Sequence, residues 1–140
     1  FKAPLMSLGL QYSVYGRIAE SAKKTEEYDF IIIDTDSVFD EEKARLLGEA
    51  DKVVVVTRQT KDSVFATETL VSNINGVSSE KYFFICNDFR KDEENFLTSP
   101  ETPVRFHVNE YIDHFSRGGN FTLEELAHNM GIQKTAFLVM

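Results

Sequence analysis

The sequence predicts an α/β fold in which a doubly wound, mostly parallel sheet carries helices on its faces. Three runs, at residues 29–34, 52–57 and 82–87, are continuously apolar and rich in β-branched or aromatic side chains. That pattern is typical of strands covered on both faces. Helical segments separate the runs, and strand–helix–strand units of this length build parallel sheets through right-handed crossovers. The 140 residues suffice for one core, so residues 1–140 are assigned to a single domain.

Three helices are predicted before the third strand. Residues 14–26 form a polar-faced helix that leads into the first strand. The helix at residues 39–50 follows the capping candidates Asp36 and Ser37 and has acidic residues in its first turn, where the helix dipole favours them. In the helix at residues 62–75, apolar residues recur every four positions until an Asn-Gly pair supplies a stop.

The last third of the chain is less regular. Residues 90–103 form a polar, acidic loop, and we expect a short further strand at residues 104–108 and a short helix at residues 109–117. A last helix is predicted at residues 122–130, because Thr122 and the glutamate three residues later form a capping box.

Composition and charge exclude several classes of protein. The aliphatic runs are too short to span a bilayer, and no signal peptide pattern opens the chain. The net charge of −8 repels nucleic acid phosphates, so charge does not indicate a nucleic acid partner, although a local contact is compatible with it. Cys86 lies in an apolar strand and indicates a buried thiol in a reducing compartment such as the cytoplasm. Three histidines without tight His/Cys spacing do not indicate a zinc site.

Polar side chains end all three apolar strands, at Asp34, Thr57 and Asn87. Ligands of open parallel sheets bind outside the carboxyl ends of the strands, so these residues are candidates for a binding site. Asp34 is the candidate metal ligand and catalytic carboxylate, because hard cations such as Mg²⁺ prefer oxygen ligands. Asp36 either assists metal or water positioning or caps the helix that follows, and capping is the simpler interpretation.

A family resemblance then emerges from the order of several motifs. The segment YDFIIIDT at residues 28–35 resembles the Walker B segment of ParA/MinD-type ATPases. Residues 50–57 resemble that family's next strand, with an Ala-Asp pair before four apolar residues and a threonine. The Ser-Val pair at residues 63–64 and the apolar-apolar-Asn at residues 85–87 are also similar to the family, and residues 106–119 fit the spacing of a later family segment.

The resemblance implies a P-loop NTPase-like domain that is seen here without its N-terminal phosphate-loop part. It implies ATP and Mg²⁺ as cofactors, with Asp34 and Asp36 on the catalytic side and Asn87 and Thr57 as cofactor-binding residues. The implied function is an ATP-binding and ATP-hydrolysing dimerisation switch. Such a homodimer positions cytoplasmic cargo such as DNA, division proteins, or pilus and secretion machinery, through protein partners. ParA-like and pilus-localisation (TadZ/CpaE-like) branches both fit, and direct membrane insertion is not expected because the tail lacks a basic amphipathic helix.

The sequence departs from the family pattern in ways that bear on ATP hydrolysis. No G-x-x-x-x-G-K-[ST] phosphate loop occurs, and we expect that loop in sequence before Phe1, which is not an initiator methionine. Residues 36–38 replace a family turn of the Pro-Pro-Gly type, and Gln59 and His107 stand where the family prefers proline. Whether the protein is an ATPase therefore depends on what precedes Phe1.

Three alternatives remain open from the sequence. A response-regulator receiver also has an aspartate after one strand and a threonine after the next, as at Asp34 and Thr57. A catalytically silent scaffold with the ATPase fold would explain the missing glycine after Asp34. Residues 122–132 resemble the first half of a helix-turn-helix, although a helix that packs on the sheet explains them more simply.

Overall fold

The computed structural model describes residues 12–25, 27–36, 39–74, 76–78, 80–114 and 135–139. This part of the chain contains three helices and five strands. Their bounds are α1 Tyr12–Thr25, β1 Phe30–Asp34, α2 Glu41–Glu49, β2 Lys52–Thr57, α3 Lys61–Asn73, β3 Tyr82–Phe89, β4 Glu110–Asp113 and β5 Thr135–Val139. The three predicted helices and the three predicted apolar strands are confirmed, with shifts of one or two residues at most ends. The helix predicted at residues 122–130 lies outside the described residues.

The strands form one sheet in the order β1-β5-β2-β3-β4, and every neighbouring pair is parallel. A parallel sheet with helices packed on it confirms the α/β class. A doubly wound sheet has helices on both faces, and the described part of the chain is compatible with that arrangement.

All three described helices lie on the same face of the sheet. Ile33 of β1 lies against α1 and α2, and Thr57 of β2 hydrogen-bonds to α3. Through β5, Ile33 is level with Val53, so Ile33, Val53 and Thr57 point to one face. The path from β1 to β2 to β3 moves in one direction across the sheet, and right-handed crossovers then place both connecting helices on one side.

The core lies between this face of the sheet and the helices. Val53 and Val55 of β2 and Val64 of α3 have at most 2% of their surface exposed, and each such burial stabilises the fold by about 1.5–3 kcal/mol. Cys86 is fully buried among these residues, which confirms the prediction of a buried thiol. No helix among the described residues is both long enough and apolar enough to cross a membrane.

Strand β5 joins β1 and β2, which follow each other in the chain but are not neighbours in the sheet. It pairs in parallel with both of them. The sequence provides no clear prediction for this segment, because a short apolar run fits a strand and a buried helix equally well. Its partners also lie far upstream in the sequence. The position of β5 is therefore a result of the tertiary structure.

The strand predicted at residues 104–108 is wrong, because these residues form neither a strand nor a helix. Their apolar side chains instead cover β3 from the helix side. Phe106 and Val108 are buried, and the Phe106 ring stacks on Phe84 with 4.9 Å between ring centroids. A loop whose apolar side chains pack on a sheet has the same composition as a strand, so composition does not distinguish the two.

The helix predicted at residues 109–117 is also wrong in its described part, where β4 extends the sheet beside β3. Strand β4 has only four residues and none of them is fully buried. An edge strand this short and exposed lacks the alternation of apolar and polar residues that would identify it.

Candidate functional site at the carboxyl edge of the sheet

The carboxyl ends of the strands lie along one edge of the sheet. The predicted site residues, however, lie at different positions along the direction of the strands. Through β5, Asp34 is level with Val54, whereas Thr57 is level with Cys86. With ~4.8 Å between strands and ~3.3 Å per residue, the Cα atom of Asp34 lies about 14 Å from that of Thr57 and about 20 Å from that of Asn87. The edge therefore does not gather these three side chains around one small ion.

Asp34 and Thr57 also lie on opposite faces of the sheet. Ile33 faces the helices, so Asp34, the next residue, points to the other face. Thr57 points to the helix face, where it contacts α3. The two residues therefore do not share one ligand position.

Asp34 is exposed, and its carboxylate makes no hydrogen bond or ion pair with other described residues. Mg²⁺ in nucleotide sites is held through one or two carboxylates, with phosphate oxygens and water as the remaining ligands. Asp34 fits that donor set as a single protein ligand. Elsewhere in the described ranges, no group of three or more His, Cys, Asp or Glu side chains is arranged to hold a metal ion.

Asp36 forms an ion pair with a buried lysine, Lys43 of α2. The Lys43 side chain has no exposed surface, and its ammonium donates to Asp36 Oδ1 at 2.7 Å and to the main-chain oxygen of Asp36. A buried ammonium is strongly unfavourable unless it is paired and hydrogen-bonded, and Asp36 supplies both contacts. The pair holds the segment after β1 against α2.

Asp36 is not the cap of α2, so that interpretation is corrected. The helix begins at Glu41, and Asp40 is its N-cap, with a side-chain oxygen that accepts from the Lys43 main-chain N–H at 2.8 Å. Lys43 is therefore bound at both ends, with its backbone at Asp40 and its ammonium at Asp36. Asp36 stands too far before the first turn to reach the free N–H groups that a cap must satisfy.

Thr57 belongs to a buried hydroxyl network between β2 and α3. Only 1% of Thr57 is exposed, and its hydroxyl lies 3.1 Å from Ser63 Oγ and accepts from Thr67 Oγ1 at 2.9 Å. Ser63 Oγ also accepts from the Arg58 main-chain N–H at 2.8 Å, which ties the strand end to the first turn of α3. Thr57 thus anchors α3 to the end of β2.

Gln59 fastens the loop that follows β3. It is 2% exposed, and its amide donates to the main-chain oxygens of Arg90, Glu93 and Glu94 at 3.0–3.2 Å. Its amide oxygen accepts from the Arg90 N–H at 2.6 Å, and its main-chain oxygen accepts from the Phe96 N–H at 3.0 Å. Proline has no amide group and could not make the side-chain contacts, which is a physical reason for glutamine at this position.

Charged residues cluster at the ends of β3 and β4, beside Asn87. Asn87 is exposed. The next residue, Asp88, accepts a hydrogen bond from His114 Nδ1. That hydrogen bond, helped by the charges of His114, Arg90 and Arg58, holds the pKa of Asp88 below its ordinary value of 3.8. Arg90 Nη2 lies 3.9 Å from Asp88 Oδ2, and Arg90 also pairs with Glu93 at 2.9 Å.

Three residues of this edge, Lys43, Asp88 and His114, are not predicted as site residues from the sequence. One signal points to Lys43, because a lysine in the first turn of an acidic helix start opposes the helix dipole. No local pattern marks Asp88 and His114, since their contact joins residues that are 26 positions apart in the chain.

In comparisons with models of protein families, with curated proteins and with solved structures, none matched this chain. The ParA/MinD resemblance therefore depends on the sequence motifs alone and stays a prediction.

Proposed function

We propose that this chain is part of an ATP-binding dimerisation switch of the ParA/MinD type. The observation that carries the proposal is Asp34, an exposed carboxylate without a partner among the described residues, at the carboxyl end of a parallel apolar strand. Phosphoryl-transfer proteins use an aspartate after such a strand to hold Mg²⁺ beside the phosphates. When bound, Mg²⁺ neutralises charge on the phosphate oxygens.

The other edge residues have separate roles in this proposal. Asn87 contacts the base, and its distance from Asp34 suits a ligand whose phosphates and base lie far apart. Thr57 supports the strand end by anchoring α3. Asp36 acts on the catalytic side only indirectly, because its carboxylate is bound by Lys43, which fixes the segment after Asp34.

The cellular role follows from the resemblance. The protein acts as a cytoplasmic homodimer that positions cargo such as DNA, division proteins, or pilus and secretion machinery, through protein partners. The net charge of −8 favours protein partners over nucleic acid as the direct contact.

A catalytically silent scaffold with the same fold is the second candidate. It is favoured by the Lys43–Asp36 pair, since an ion pair with a buried lysine gives the Asp36 carboxylate a structural role. A receiver domain fits less well, because a receiver needs Asp34 and Thr57 around one phosphoryl group. The register separates their Cα atoms by about 14 Å, and the side chains lie on opposite faces of the sheet.

The test is Mg²⁺-dependent ATP binding by the full-length protein that the gene encodes. Asp34→Asn is compared with Asp29→Asn, which changes an exposed aspartate directly before the same strand. We expect micromolar or tighter binding in Mg²⁺, and a loss of at least about tenfold in Asp34→Asn alone.

Two results would contradict the proposal. If the wild-type protein does not bind ATP with Mg²⁺, the switch function is excluded. If Asp34→Asn binds as the wild type does, Asp34 is not the metal-side aspartate. Binding without ATP hydrolysis would support the silent scaffold over the ATPase.

A further inference from the structure

Strand β3 has one residue more than β4 at the carboxyl edge. Cys86 pairs with Tyr111 and Phe89 pairs with Asp113, so Asn87 and Asp88 stand opposite a single residue of β4. This two-against-one arrangement is a β-bulge, which is rare between parallel strands. Its effect is visible in the packing, since Cys86 and Phe89 both contact the core although strict alternation would place them on opposite faces.

The bulge has an unfavourable backbone conformation at Asp88. Its φ is 59°, in the left-handed region that favours glycine, and it is the only non-glycine residue with positive φ among those described. A residue keeps this conformation when surrounding contacts determine it, and such residues are frequent at ligand sites.

The contacts that hold the bulge come from both sides. His114 donates from Nδ1 to Asp88 Oδ1, and its main-chain N–H donates to the Phe89 oxygen at 2.9 Å. On the other side, Gln59 Oε1 accepts from the Arg90 N–H at 2.6 Å. Asn87 and Asp88 therefore lie between the histidine that follows β4 and a buried glutamine of the β2–α3 connection.

We propose that Asp88 and His114 form a latch that fixes the bulge and thereby directs the side chain of Asn87 into the ligand crevice. Both are positioning residues that act through Asn87, and the ligand part rests on the proposed base contact of Asn87. Bulges beside binding sites commonly re-aim one side chain in this way. An Asp–His hydrogen bond suits the task, because a carboxylate accepts strongly and fixes the orientation of the imidazole ring.

The latch is tested first without any ligand, by amide hydrogen exchange in the 140-residue chain. His114→Phe keeps a ring but removes the donor, and His114→Asn restores an N–H near the position of Nδ1. The control is His107→Phe, which changes an exposed histidine. We expect the amides of residues 90 and 114, which flank the bulge, to exchange about tenfold faster in His114→Phe. His114→Asn should restore the exchange rate, and His107→Phe should not change it.

The Val53 amide, which donates to the Lys81 oxygen at 2.8 Å at the other end of the sheet, reports on global stability. Equal acceleration at Val53 and at the two flanking amides would show that His114 only stabilises the fold, and would overturn the latch. Unchanged exchange in His114→Phe would overturn it as well.

The second arm measures binding of ATP and of inorganic tripolyphosphate, which has no base, each with Mg²⁺ and by the full-length protein used to test Asp34. We expect Asn87→Ala and His114→Phe each to weaken ATP about tenfold and to leave tripolyphosphate unchanged, and the double variant to be no weaker than either one. Additive losses would show that His114 does not act through Asn87. Unchanged ATP affinity in Asn87→Ala would refute the base contact and the ligand role of the latch, whereas the exchange result would still decide whether the latch exists.

Discussion

Replacing Lys43 and Asp36 one at a time tests what their ion pair contributes to the fold. Asp36→Asn removes the negative charge beside the ammonium but leaves the ammonium buried and its contact with the main-chain oxygen of residue 36 in place. Lys43→Met removes the ammonium and keeps a side chain of similar length. The double variant removes both charges.

The expected effects differ because only one partner is buried. The Lys43 side chain has no exposed surface, whereas 63% of the Asp36 side chain is exposed. Hydrogen bonds to charged groups contribute about 1.5–3 kcal/mol, and water replaces part of this at an exposed partner. We expect Asp36→Asn to lower the free energy of unfolding by about 1–2 kcal/mol.

Lys43→Met should lower the free energy of unfolding by less than about 1 kcal/mol. The variant removes the unfavourable desolvation of the ammonium and its unfavourable interaction with the start of α2, and the Asp36 side chain is already 63% exposed to water. The double variant should then be more stable than Asp36→Asn alone, because the charged ammonium no longer stays buried beside a neutral side chain.

Urea unfolding followed by circular dichroism measures these differences as shifts of the midpoint at constant m. Lys91→Met is the matched control, since Lys91 is exposed in a loop, and it should stay within about 0.5 kcal/mol of the wild type. The reasoning is refuted if Lys43→Met destabilises the protein more than Asp36→Asn does. It is also refuted if adding Lys43→Met to Asp36→Asn lowers the stability further.

Three further predictions concern other residues of the edge and core. Gln59→Leu should lower the free energy of unfolding by at least about 2 kcal/mol, because three main-chain oxygens lose their donor; a loss within the error of urea unfolding would contradict this. The pKa of Asp88 is lowered from 3.8, so its contribution to stability is complete above pH 3.8 and is lost as the pH falls through the lowered value. Asp88→Asn should therefore flatten the fall in stability below pH 3.8, and an unchanged acid profile would show that Asp88 contributes nothing. Burial and the charge of Asp88 raise the pKa of Cys86 to about 11, so iodoacetamide at pH 8 should modify it only in denaturant; fast modification of the native protein would contradict its burial.

The sequence by itself determines the three apolar strands β1, β2 and β3 and the helices between them. Strand β2 occupies the predicted residues 52–57, because four consecutive valines between polar ends favour a strand that is buried on both sides. The same logic identifies Cys86 as buried and places Asp34 at a carboxyl end, where its exposure agrees with a ligand role. These features are local, since each depends on a continuous run of residues and on the polar residue that ends it.

Only the tertiary structure decides the features that join distant segments. Strand β5 lies between β1 and β2 because both offer unpaired edges, and a five-residue apolar run does not show which edge it will meet. The same holds for the ring of Phe106 on Phe84 and for the contact of His114 with Asp88. Cross-strand contacts depend on register, and register follows from packing rather than from the composition of either strand.

In the candidate site too, some features can be predicted from the sequence and others are decided by the tertiary structure. Polar residues at strand ends are visible in the sequence, but their heights along the edge and the faces to which they point depend on strand order and pairing. Lys43 is the clearest case, because a lysine is ordinarily exposed but is fully buried here, where its ammonium pairs with Asp36. A short-range pattern predicts which residues form strands and helices, whereas the partners of a buried charge are set by the three-dimensional fold.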